Sequence, residues 1–68
     1  MTKDKALVVK LLAAAETDLN MTADLLEEAA EILNKLGDFA AAQTYKRGSR
    51  LARQTITKIA AAFESGGT

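Results

Sequence analysis

The residue types that most often carry out chemistry in proteins are missing from this chain. Its 68 residues include no histidine and no cysteine, which removes the commonest general base, the thiolate nucleophile and the usual transition-metal ligands. What remains is an acidic cluster at positions 16–31, a basic cluster at positions 46–53 and the hydroxyl of Ser49. Each is compatible with one kind of chemistry, and each also has a simpler structural explanation.

The acidic cluster contains six carboxylates with no basic residue between them: Glu16, Asp18, Asp24, Glu27, Glu28 and Glu31. Carboxylates on helices can hold a pair of metal ions, but such sites combine inward-facing glutamates with Glu-x-x-His pairs. Without histidine, the cluster is interpreted as a solvated helix face. Ser49 has no matched base and occupies a position where a small packing residue is expected. We therefore predict no enzyme activity, no metal site and no cofactor.

The basic cluster lies in the stretch TYKRGSRLAR, residues 44–53. Arg50 is three or four residues from each of the other cations, so all four can share one helix face: Lys46, Arg47, Arg50 and Arg53. Such a face could contact phosphates. The favoured interpretation is that the basic and acidic runs pair with each other inside a folded-back chain. A surface for a protein partner comes second, and a nucleic-acid surface third.

The composition of the chain, and the residues that end one helix and start the next, predict two helices. The chain has no proline and only four glycines, and its common residues favour helix. Gly37 suits the left-handed position that ends a helix, and Asp38 suits the N-cap of the next helix. We predict an all-α antiparallel helical hairpin with helices at about 4–36 and 39–64. Weak helix formers leave open a break near Asn20, which would give three helices.

Apolar residues recur with the heptad spacing of packed helices. Leucines stand at every seventh position of the first helix, namely Leu12, Leu19, Leu26 and Leu33. The positions between and beyond them are Val8, Ala15, Thr22, Ala29 and Leu36. The second helix repeats the rhythm with Ala42, Tyr45, Ser49, Ala52, Ile56, Ile59 and Phe63. The pattern predicts a left-handed antiparallel seam in which position i faces roughly position 75 − i.

In this register the acidic run lies beside the basic run. The expected ion pairs are Glu28 with Arg47, Asp24 with Arg50, Lys46 with Glu27 or Glu31, and Asp18 with Lys58. Exposed pairs are worth only about 0–1 kcal/mol each, so their expected role is to set helix orientation. Gly48 and Ser49 are expected to leave room for Leu26.

One seam cannot bury all the apolar side chains. The residues predicted to form a dimer interface or a partner-binding surface are Val9, Leu11, Leu25, Ile32, Phe39 and Leu51. A hairpin has a single contact layer, whereas a symmetric antiparallel pair of hairpins forms a four-helix bundle with a shared core. The sequence leaves the topology of the dimer open. We therefore predict one domain, residues 1–68, that forms a homodimer and ends in a flexible tail at 65–68.

Two families share features with this sequence. The turn GDFAAAQTY resembles the inter-helix turn of tetratricopeptide repeats, in which a Gly-Asp-aromatic sequence is followed by an alanine. The matching residues are Gly37, Asp38, Phe39 and Ala42. This resemblance implies protein–protein binding, although the family's first-helix signature and its repeat are missing. In plan and length the chain is similar to the Rop plasmid-copy-number regulators, which are dimeric hairpins that bind RNA loops.

These observations predict a small non-enzymatic regulator that binds a larger protein as adaptor or inhibitor, of the anti-activator type that phages and plasmids encode. The alternatives are a Rop-like RNA or DNA binder that uses the basic face, and a structural oligomerisation module. Nine basic and nine acidic residues give no bulk attraction to nucleic acid or membranes. No apolar run approaches the roughly 20 residues of a membrane span, so we expect a cytoplasmic protein from which no segment is removed.

Overall fold

Two long helices form an antiparallel hairpin. In the computed structural model, α1 spans Thr2–Lys35 and α2 spans Phe39–Gly66. The structure describes the backbone of residues 2–66 and the side chains of residues 3–64. No strand occurs in this described backbone, so the predicted all-α antiparallel hairpin is confirmed.

The helix boundaries settle two points that the sequence left open. α1 passes Asn20 without a break, and Thr17 Oγ1 donates to the carbonyl oxygen of Ala13 at 3.0 Å, so this weak helix former satisfies its hydroxyl within the helix. α2 continues through Gly66, two residues beyond the predicted end. The rest of the predicted tail at 65–68 lies outside the described residues.

The turn between the helices is held by backbone hydrogen bonds. Gly37 has a φ of 87°, in the left-handed region that glycine enters without strain. The Asp38 amide donates to Leu33 at 2.9 Å and the Gly37 amide donates to Asn34 at 3.1 Å, which is the Schellman pattern. The Asp38 carboxylate accepts from the Ala41 amide at 3.2 Å and caps α2. Both predicted roles, for Gly37 and for Asp38, are confirmed.

Small residues make the closest part of the contact between the helices. Four side chains are 0–2% exposed, and they are Ala23, Ala30, Ala42 and Ser49. The heptad leucines of α1 are half-buried beside them. A Cβ atom built on Gly48 would lie 3.2 Å from Leu26 Cδ1. Gly48 therefore leaves room for Leu26, as predicted, and this contact agrees with the predicted register.

In the middle of α1 the seam is displaced by one residue from the prediction. Ala23 and Ala30 are fully buried, whereas Thr22 is exposed and Ala29 is half-buried. One residue corresponds to about 100° of rotation around the helix. α1 is therefore turned so that its smallest side chains face α2, which allows the two backbones to approach.

Three further residues predicted to lie in the seam are substantially exposed. The exposed fractions are 42% for Val8, 74% for Leu36 and 41% for Tyr45. Val8 lies level with the very end of α2, and Leu36 follows the last residue of α1. The ring of Tyr45 extends beyond the contact between the two helices, and a single hairpin has no second layer of helices to cover it.

The hairpin is one layer thick. Its Cα atoms extend over 53 × 17 × 9 Å with a radius of gyration of 15.7 Å, whereas a compact domain of this length would have a radius of about 11 Å. Its accessible surface is 5349 Å², whereas a folded monomer of this mass exposes about 4100 Å². A single hairpin thus exposes about 1200 Å² more than a compact monomer would.

Candidate protein-interaction surfaces

On one flank of the seam, acids of α1 meet cations of α2. Arg53 Nη2 forms ion pairs with Asp24 Oδ1 at 3.0 Å and with Glu27 Oε1 at 3.2 Å. Hydrogen bonds to Asp24 first, and then to Glu27, raise the pKa of Arg53, so the guanidinium stays charged. All three side chains are largely open to water, which screens the interaction. The pairs therefore orient the helices more than they stabilise them.

The ion pairs differ from those expected. Asp24 pairs with Arg53 and not with Arg50, because Arg53 lies about 60° closer to the seam around α2 and so reaches α1. The other expected pairs are also wrong within the described side chains: Glu28 with Arg47, Lys46 with Glu27 or Glu31, and Asp18 with Lys58. As a result, three of the four clustered cations make no ion pair in the described part of the chain.

A shallow groove of about 300 Å³ runs along this flank, which we call the charged face. Its lining residues are Glu27, Glu31, Lys46, Ser49, Arg50 and Arg53. Ser49 Oγ is buried and has no hydrogen-bond partner among the described residues. Nowhere among the side chains described do three acids come together as a possible metal site. What the groove offers a ligand is the positive charge of Lys46 and Arg50 beside the negative charge of Glu31.

The opposite flank, which we call the apolar face, carries two stripes with heptad spacing. On α1 the stripe consists of Leu11, Ala14, Asp18, Met21, Leu25, Glu28 and Ile32. On α2 it consists of Thr44, Gly48, Leu51, Thr55, Lys58 and Ala62. The large apolar side chains of these stripes are 52–63% exposed. The contact of Leu26 with Gly48 brings the two stripes together along one side of the hairpin.

All six residues predicted to form an interface are exposed, but they do not form one surface. The four on the apolar face are Leu11, Leu25, Ile32 and Leu51. Val9 lies nearly half a turn around α1 from Leu11, and it lines a separate groove of about 240 Å³ with Phe63. Phe39 begins α2 and lies about a third of a turn from Leu51.

Reasoning from the sequence missed part of the apolar face. Met21 is 58% exposed, and the small residues Thr44 and Thr55 lie on the adjacent flank of α2. The signal in the sequence was the spacing of Leu11, Leu25 and Ile32. These residues form a second heptad pattern, each one residue before a leucine of the first. Met21 falls on this second heptad, one residue before the position assigned to the seam.

Neither the apolar character of the described helices nor the comparisons with known proteins point to a function. Within the described residues, neither helix combines the length and the apolar character that crossing a membrane requires. No protein-family model matches the chain, and comparisons with curated proteins and with solved structures also give no match. The resemblances to tetratricopeptide repeats and to Rop regulators therefore stay predictions, and function has to be argued from the two faces.

Proposed function

We propose that this hairpin is a small protein-interaction module that binds a larger protein as adaptor or inhibitor. The observation that carries the proposal is the apolar face. Soluble monomers rarely leave a contiguous apolar patch of more than a few hundred Å² in water, and larger patches mark interaction sites. Here the exposed large side chains follow helical spacing, so the complementary surface is a helix or a pair of helices.

The charged side chains support a protein partner in particular. Protein interfaces combine an apolar centre with a polar rim, and the apolar face has this composition. Asp18 and Glu28 interrupt the α1 stripe, and Arg47 lies at the outer edge of the α2 stripe. Such charges select partners and orientation more than they add affinity.

The hairpin has two faces of different chemistry, and each is better suited to binding another molecule than to catalysing a reaction. When the apolar face covers a partner's surface, the module inhibits whatever else uses that surface. The charged face, with Lys46 and Arg50 unpaired in the described structure, remains available for a second contact. An adaptor requires such a second contact, whereas an inhibitor does not.

Affinity capture from an extract of the native host tests this function. The bait proteins are the wild type, the variant Leu25→Glu/Ile32→Glu, and the control Gln43→Glu/Gln54→Glu, which adds the same charge at exposed positions on the outer side of α2. We expect the wild type and the control to capture the same partner, and the apolar-face variant to lose at least about tenfold. Equal capture by all three proteins would contradict the proposal.

A second candidate function is nucleic-acid binding, which the unpaired cations favour. Lys46, Arg47 and Arg50 share one broad side of α2 and make no ion pair among the described side chains. Phosphate contacts would make binding to a short RNA or DNA weaken steeply with salt. Arg50→Glu should abolish that binding, while Gln54→Glu should only weaken it. Absence of binding at low salt would remove this candidate.

A further inference from the structure

We propose that a second copy of this chain covers the apolar face, in a symmetric dimer that places α1 of each copy on α2 of the other. Both turns then lie at the same end of a four-helix bundle. This rests on the same face as the proposed function and names its occupant, with which a larger protein partner has to compete.

The exposed area matches what a stable dimer needs. A standard protein interface buries about 800 Å² on each partner, and obligate dimers bury more. The hairpin exposes about 1200 Å² beyond the surface expected of a compact monomer. Covering this excess on two copies removes roughly 2400 Å² from water, within the range of permanent dimers.

The two stripes are in register from Ala14 to Ile32 of α1. The contact of Leu26 with Gly48 and the ion pair of Asp24 with Arg53 bracket a register in which position i of α1 is level with roughly position 76 − i of α2, and in this register each of these α1 stripe residues is level with a stripe residue of α2. The level pairs are Ile32 with Thr44, Leu25 with Leu51, Met21 with Thr55, and Ala14 with Ala62. A two-fold axis parallel to the helices preserves levels, so the same pairs meet between copies. Ile32 and Met21 then each face a smaller threonine, and Leu25 faces Leu51 in the middle of the face, so that large and small pairs together fill a shared core.

The charges within the stripes complement one another in the same arrangement. Asp18 and Glu28 are the two acids that interrupt the α1 stripe, and neither forms an ion pair within the described chain. Lys58 lies level with Asp18, and Arg47 lies within one residue of the level of Glu28. In the dimer each acid therefore meets a cation of the second copy at the edge of the shared core, the position where charge pairs select partners in helical bundles.

The other two-fold arrangement places the turns at opposite ends and packs α1 against α1. With the two stripes centred on each other, Asp18 then faces Leu25 of the second copy, and Glu28 faces Ala14. A carboxylate that loses water against an apolar side chain, without a cation, is strongly disfavoured. Charge complementarity thus selects the arrangement with both turns at one end.

Charge reversal between copies tests this arrangement. Asp18→Lys and Lys58→Asp should each weaken the dimer at least about tenfold, because each brings like charges together twice. Mixing the two variants should restore dimerisation as heterodimers, in which both contacts are again between opposite charges. Sedimentation equilibrium measures the dissociation constants, native mass spectrometry identifies the heterodimer, and circular dichroism checks that each variant is helical.

Spin labels measure separately whether the two turns lie at the same end or at opposite ends of the bundle. Because the chain has no cysteine, Asn34→Cys provides a single labelling site at an exposed position near the turn. The proposed dimer gives a distance between labels of about 20 Å. The arrangement with turns at opposite ends gives about 45 Å.

Each outcome supports or overturns the proposal. Heterodimer formation with the short label distance supports it. A monomeric wild type, a dimer without exchange between the two variants, or the long label distance overturns it. The proposed function fails separately: if Leu25→Glu/Ile32→Glu still captures the same protein partner, that function is wrong whether or not the chain is a dimer. If the wild type is monomeric but this variant loses capture, only the dimer is wrong.

Discussion

At the residue scale, the hairpin depends on small side chains at the points of closest approach. Ala23 and Ala30 have no exposed surface, and Gly48 has Leu26 Cδ1 within 3.2 Å of where its Cβ would lie. Larger groups at such positions force neighbouring side chains or the backbone to move. The one-residue displacement of the seam is therefore open to a direct mutational check.

Ala23→Leu should lower the free energy of unfolding by about 1–3 kcal/mol, because the added atoms have no space between the helices. Thr22→Leu is the matched control, since it introduces the same side chain one residue earlier, where the chain is exposed. It should leave stability within about 0.5 kcal/mol of the wild type. Urea denaturation measures both free energies of unfolding. A larger loss of stability for Thr22→Leu than for Ala23→Leu would contradict the displacement of the seam.

The ion pairs of Arg53 should contribute to folding stability by an amount that does not change with pH near neutrality. Asp24 and then Glu27 raise the pKa of Arg53 in the folded chain, so its contribution is complete below the unfolded pKa and is lost only as the pH rises through the still higher folded value. The stability difference between the wild type and Arg53→Gln should therefore stay constant across the neutral and mildly alkaline range. A difference that changes across this range would contradict the assigned pairs.

At the element scale, the turn shows why some features could be predicted from sequence. Gly37 and Asp38 act through hydrogen bonds to residues three to five positions away, so their roles are local and visible in the residue types. The ion pairs were not predictable in this way. Which cation reaches Asp24 depends on the rotation of α2 about its own axis, and the heptad spacing fixes that rotation only to within about one residue.

Gly37→Ala should lower the free energy of unfolding by about 1–2 kcal/mol, the cost of holding a Cβ-bearing residue in a left-handed conformation. No heavy atom lies within 4 Å of the added Cβ, so the whole cost is a backbone cost. Gly37→Asn should recover part of it, because asparagine tolerates this conformation better. Thermal and urea unfolding of the two variants provide the comparison, and equal losses would contradict the backbone explanation.

At the scale of the whole molecule, the surface of the hairpin matters more than its interior. The leucine heptad predicted that the chain folds back, and it does. The sequence also indicated unburied apolar residues, and helical spacing alone puts Val9 and Leu25 on opposite flanks of α1. It could not show which residues of α2 lie beside each flank, and the Arg53 ion pairs and the groove of Val9 with Phe63 show this.

If a second copy covers the apolar face, thermal stability should depend on protein concentration. A dimer that unfolds to monomers gains stability as concentration rises, so the Tm of the wild type should increase with concentration. Leu25→Glu/Ile32→Glu should melt lower and at a temperature independent of concentration. Gln43→Glu/Gln54→Glu should behave like the wild type, and a wild-type Tm that does not change with concentration would count against the dimer.

The central claim is that one hairpin is half of a folded unit and that its apolar face is covered by another copy. The most direct measurement is the molar mass in solution, by sedimentation equilibrium, of the wild type and of Leu25→Glu/Ile32→Glu. We predict twice the chain mass of 7.2 kDa for the wild type and the single-chain mass for the variant. A wild type that sediments as a monomer at all concentrations measured would contradict the claim.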